Sequence, residues 1–112
     1  MSKYDQFAEV IGSYRRHGWE LRRAIVTAAS GVEIANRRES LFGDAIVNEG
    51  RCDALWFSRP SVKDREAWEL RLVAETPYAL FEAFEADETD EQREEVRLEM
   101  EARLREYATK SS

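Results

Sequence analysis

The stretch 53–73, DALWFSRPSVKDREAWELRLV, constrains this chain more than any other. Two segments rich in aromatic and branched residues, 54–58 and 67–73, flank a polar loop that carries Pro60. That is the pattern of two adjacent strands joined by a longer hairpin loop. Trp56, Phe57 and Trp68 all fall within it, so the pair is expected at the centre of the sheet. In 54–58 both faces are apolar, with Leu55 and Phe57 on one and Ala54 and Trp56 on the other. A strand apolar on both sides is buried on both sides or has one side in an interface. The second segment is one-sided, with Trp68, Leu70 and Leu72 inward.

The flanks supply helices. Tyr4, Phe7, Val10, Ile11 and Tyr14 form one stripe at helical period over residues 3–17. Ser2 is placed to cap that helix, Arg15, Arg16 and His17 fill its last turn, and Gly18 stops it. Residues 19–26 alternate as a half-buried strand, with Trp19, Leu21 and Ile25 on one face and Arg23 breaking the pattern. The run Trp19-Glu20-Leu21-Arg22 recurs as Trp68-Glu69-Leu70-Arg71. Side by side, two such strands would pair Glu with Arg across the ladder. Residues 27–43 read as an irregular connection with some short element, 44–47 as a short strand and 48–50 as a turn.

After the central pair, Thr76-Pro77 reads as a helix start, and 77–85 as a helix burying Leu80, Phe81 and Phe84. Thr89 and Gln92 make a capping box for a last helix that ends near Tyr107. Its apolar stripe is thin: Val96, Met100, Leu104 and Tyr107. Glu99–Arg103 and Glu101–Arg105 have the i,i+4 spacing of ion pairs. The expected fold is therefore α+β: a small, mainly antiparallel sheet of three or four strands, with helices packed on one face. The expected order is helix, strand, short strand, two strands, then two helices. Residues 1–108 make one domain and 109–112 a disordered tail; 112 residues hold one core rather than two.

Charge narrows the function classes. The net charge is −6, and residues 85–106 alone hold ten acids against four arginines. The rest is close to neutral. The pairs Arg15-Arg16, Arg22-Arg23 and Arg37-Arg38 would make the best phosphate-binding patch. The acidic C-terminal segment would repel a duplex and no reader motif is present, so nucleic acid is not expected as a partner. No apolar run approaches a membrane span, and the N-terminus lacks the apolar core of a secretory signal. A single cysteine, Cys52, excludes an intrachain disulfide and agrees with a reducing, cytoplasmic setting.

Few residues are suited to catalysis. His17, the only histidine, has a capping position that accounts for it. Cys52 has no partner for a metal site and reads as a small apolar filler, the alternative being a thiol activated by Arg51. The acid pairs Asp87/Glu88 and Glu94/Glu95 lie on a solvated face without a calcium-loop glycine. No cofactor and no catalysis are expected. Trp56, Phe57, Arg59, Trp68, Met100 and Leu104 are the candidate interaction or ligand surface.

The expected function is a cytosolic, non-catalytic interaction module that self-associates or binds an unidentified protein. It would use the sheet's second face or the thin-striped last helix. The alternative is a small-molecule binder, its pocket lined by Trp56, Trp68, Phe81 and Arg59. By analogy of size and acidity alone, an acidic dimer like the secretion chaperones is a third reading.

Overall fold

The computed structural model describes residues 2–111. Ser2 accepts the Asp5 N–H at 3.1 Å and opens α1 (Lys3–Arg16), which buries Phe7 and Ile11. Gly18, at φ +83°, takes the left-handed position that ends it. β1 (Glu20–Val26) follows. Thr27 caps α2 (Ala28–Ile34), and a 3-10 turn, Ala35–Arg37, leads into α3 (Arg38–Phe42). Then come β2 (Ile46–Glu49), β3 (Ala54–Pro60), β4 (Glu66–Leu72), β5 (Tyr78–Phe84) and α4 (Asp90–Ser111).

The strands form one sheet in the order β2-β1-β3-β4-β5. β1 and β2 are parallel and every other pair is antiparallel. The fold is α+β, with five strands where three or four were expected. β3 is the central strand and β4 its hairpin partner, as the stretch 53–73 implied. Residues 27–43, expected to be irregular, hold the two short helices that carry the chain across to a parallel strand.

The helices lie on both faces of the sheet rather than on one. Under α1, α2 and α3, Phe7, Ile11, Ile34 and Phe42 pack on Leu21, Ala24, Leu55 and Phe57. Under α4, Met100 and Leu104 pack on Ala54, Trp56, Trp68, Leu70 and Phe84. β3 serves both cores, which accounts for its two apolar faces within one chain. α4 is held by more than its thin stripe. The Arg97 guanidinium lies 4.1 Å from the Trp68 ring and 5.3 Å from that of Phe84, and Arg93 lies 5.6 Å from Phe84. Arg97 is only 8% exposed. Long basic side chains cover apolar surface with their stems and use aromatic faces for their charge.

Residues 77–85 are a strand where a helix was expected. Tyr78, Leu80 and Phe84 alternate inward toward α4, while Ala79, Phe81 and Ala83 point the other way. Thr76-Pro77 imitates a helix start, but a proline just before a strand removes no ladder hydrogen bond. Aromatic residues and the open edge of β4 favour the strand. The capping box before α4 is formed as expected, with Gln92 N–H to Thr89 Oγ1 at 3.1 Å and Thr89 N–H to Gln92 Oε1 at 2.9 Å. The helix runs past Tyr107. Its last turns include Thr109 and Lys110, expected as tail, with Lys110 paired to Glu106 at 3.0 Å. Ser112 lies outside the described residues.

Two local irregularities set side-chain direction. In β1 the register shifts between Leu21 and Arg23, leaving Arg22 as a bulge. Leu21 and Ala24 thereby share a face, and Arg23 turns toward α4. Because β3 separates β1 from β4, the repeated Trp-Glu-Leu-Arg runs do not pair. The other irregularity is a buried polar knot. Asp53, 6% exposed, accepts the Thr27 N–H at 2.9 Å and the Ser30 hydroxyl at 2.7 Å, and pairs with Lys3 Nζ at 3.0 Å. Lys3 also reaches the Val73 carbonyl at 3.3 Å. The first residues of α1 are thus tied to the end of the sheet where α4 also finishes, with Tyr107 stacked on Tyr78 at 3.7 Å.

Candidate functional site

The structure scatters the residues expected to form a surface. Trp56, Phe57, Trp68, Met100 and Leu104 are all buried, Trp56 completely. Phe57 faces α1, while Trp56 and Trp68 face α4 and pack against its Met100 and Leu104. Arg59 is exposed at the end of β3, 4.4 Å from the Trp19 ring and bonded to the His17 carbonyl at 2.8 Å. The pocket expected from Trp56, Trp68, Phe81 and Arg59 is not assembled, because α4 seals the tryptophans and Phe81 lies on the opposite face. The arginine pairs do not converge either. Arg23 binds Glu94, Arg22 reaches the Ser58 hydroxyl, and Arg37 covers the Tyr4 ring.

An uncovered surface lies at β5. The core beneath α1, α2 and α3 contains no β5 side chain. Register places Ala67, Glu69 and Arg71 of β4 beside Ala83, Phe81 and Ala79 of β5 on that face. Phe81 is 59% exposed. The cover stops at Tyr14, whose ring stacks on Phe57 at 4.0 Å and whose hydroxyl donates to the Glu69 carboxylate. Burial, reinforced by that bond and by the Glu69 charge, pushes the Tyr14 pKa up to about 12. Beyond Tyr14, Ala67 is buried and Glu69, Arg71 and Ala83 are half-buried, while Ala79 and Phe81 of the edge strand are exposed. β5 has no further strand beside it, and one of its backbone donors, the Ala83 N–H, is taken by the Glu82 carboxylate at 3.2 Å.

A cleft of about 510 Å³ opens at the end of the sheet where α4 finishes. The turn Arg51–Asp53, the end of β4 and Arg105, Tyr107 and Ala108 of α4 line it. A smaller space of about 110 Å³ continues from it along α4, past Arg51, Cys52 and Arg105 to Glu101 and Trp56. Glu101 does not pair with Arg105 as its spacing suggested. It accepts the Trp56 indole N–H at 2.8 Å instead, because a buried indole donor needs a partner. Sequence spacing could not show that choice, since the indole lies 45 positions away.

Three further groups singled out in the sequence, His17, Cys52 and Glu94, have local surroundings that set their behaviour. His17 closes α1, its Nδ1 2.8 Å from the Ser13 carbonyl. Burial raises the Cys52 pKa, and the Asp53 charge adds to that, while Arg105 opposes it. That shift runs opposite to the lowering expected from Arg51. Arg23, the main cause, and Arg97 hold the Glu94 carboxyl below its usual range against a cost from burial. Among the described residues, no group of three or more His, Cys, Asp or Glu side chains could hold a metal ion, and no helix is long and apolar enough to cross a membrane. Compared with family models, curated proteins and solved structures, the chain matches none at a significant level.

Proposed function

We propose that this chain is a non-catalytic interaction module that works as a pair, two copies joined by antiparallel addition of β5 to β5. The observation that carries the reading is β5 itself, a seven-residue edge strand without lysine or proline, with Phe81 exposed on its uncovered face. Soluble proteins blunt their edges with short strands, charges or bulges. β2, at the other edge, has only four residues. β5 is guarded only at Glu82. A strand from another molecule would satisfy its outward backbone groups.

Self-complementarity favours a second copy as that molecule. Pairing about a two-fold axis at Phe81 sets Glu82 opposite Leu80 of the second copy and Tyr78 opposite Phe84. No like charges then face each other across the seam. The two α4 helices run alongside in opposite directions. Glu94 and Glu101 point toward β1 and β3, where they meet Arg23 and Trp56. Helical spacing turns Glu99 and Arg103 to the other flank, toward β5. They do not pair with each other, and across the axis each faces its opposite in the second copy. Such an interface is isologous and closed.

The test is size-exclusion chromatography with light scattering from micromolar to millimolar concentration. The wild-type chain should run at twice its monomer mass. Phe81→Lys and Ala83→Pro should each give a monomer with an unchanged far-UV spectrum. A wild-type chain that stays monomeric throughout would remove the reading.

A further inference from the structure

Two arginines that pair with no carboxylate among the described residues line the cleft beside Cys52. Arg51, Cys52 and Arg105 line both the larger and the smaller space, so they stand at the junction of the two. Neither guanidinium makes an ion pair or hydrogen bond with any described residue. For Arg105 the cause is visible: the glutamate one turn before it is committed to Trp56. Two unpaired cations in a partly enclosed space gain most from one anion that both can reach.

The acids nearby decide how much negative charge the cleft accepts. Asp53 is held by Lys3, Thr27 and Ser30, and Glu101 by Trp56. Glu75 at the larger space and Glu49 at the smaller one are exposed with no ion pair to any described residue, and a second anionic group on a ligand would meet them. Leu72, Ala108 and Tyr107 make the wall apolar, and the Tyr107 ring is fixed by its stack on Tyr78. About 510 Å³ is in the range of small-molecule sites, roughly 300–1,000 Å³. We propose that this cleft binds a small organic molecule with a single carboxylate or phosphate head, gripped by Arg51 and Arg105, and an apolar or aromatic body along Leu72, Ala108 and Tyr107. The proposal stands apart from the β5 dimer.

Cys52, the sole cysteine, is a built-in reporter for this site. Two aromatic disulfides are compared on the full chain at mildly alkaline pH: 5,5′-dithiobis(2-nitrobenzoate), with one carboxylate per ring, and the neutral 4,4′-dithiodipyridine. Each rate is divided by that of the uncharged thiol 2-mercaptoethanol with the same reagent, which removes the reagents' difference in intrinsic reactivity, and Cys52's own acidity cancels when the two quotients are compared at one pH. Electrostatic focusing should favour the anionic reagent about tenfold. Arg51→Ala and Arg105→Ala, both at exposed positions, should each reduce that preference, and the double variant should abolish it. Benzoate or phenyl phosphate should protect Cys52 and benzyl alcohol should not; the stronger protector identifies the head group. Equal rates for the two reagents, a preference that survives in the double variant, protection by benzyl alcohol equal to that by the anions, or no reaction with either reagent would each overturn the assignment.

Discussion

Tyr14 shows how one residue reports on its surroundings. Its ring lies on Phe57 inside the core, and its hydroxyl donates to Glu69 at the boundary of the open face. The pKa of about 12 in the folded chain lies above the ordinary value of 10.0. The folded state therefore holds this proton more tightly than the unfolded state does. The stabilisation is fully present below pH 10 and is lost as pH rises from 10 toward 12. Titration of tyrosine absorbance should show one of the four tyrosines ionising late. Glu69→Gln should bring that step to lower pH. If no tyrosine of the folded chain ionises above the ordinary range, the Tyr14–Glu69 contact is absent in solution. At this scale the sequence was legible where partners are close in the chain. Ser2, His17 and Thr89 cap helices as their positions implied. Asp53 and Glu101 were not legible, because the groups that claim them lie 23 to 50 positions away.

Among the elements, α4 is attached in a way its composition conceals. A stripe of four apolar residues spread over 22 positions is weak, and arginines complete it. Arg97 lies over Trp68 and Phe84 and binds Glu94 at 2.9 Å, while Arg23 grips the same carboxylate from β1. Arg97→Ala should lower stability by about 2 kcal/mol, through lost packing as well as lost charge. Arg97→Met keeps most of the contact with the rings and should cost less than about 1 kcal/mol. Urea denaturation of both variants checks this; equal losses would show that the ion pair rather than the stacking holds the helix. β3 and β4 were readable from alternation and aromatic content. β5 was misread because Leu80, Phe81 and Phe84 also fit a helical face, and only the unpaired side of β4 decides between the two. The two-faced character of β3 was readable too, but its cause was not. Nothing local says that a distant, highly charged helix returns to cover Trp56.

The whole molecule is three layers, with the sheet between a layer of three helices and a single long one. Its acidic excess is concentrated in and just before α4. Lys3 is anchored at Asp53 and Val73. Ala108 and Thr109 line the same cleft as Asp53 and Val73. The start of α1 and the last turns of α4 therefore sit at one end of the sheet, on opposite faces. The link between β3 and β4 lies at the far end, and there Lys63 and Asp64 take φ values of 57° and 63°, which cost non-glycine residues energy. A circular permutant follows from that arrangement. A glycine-serine bridge would join the start of α1 to the end of α4, and the chain would open between Lys63 and Asp64, releasing the strained pair. Its ellipticity spectrum and unfolding midpoint should stay close to those of the parent, because every layer keeps its neighbours and only the order of their synthesis changes.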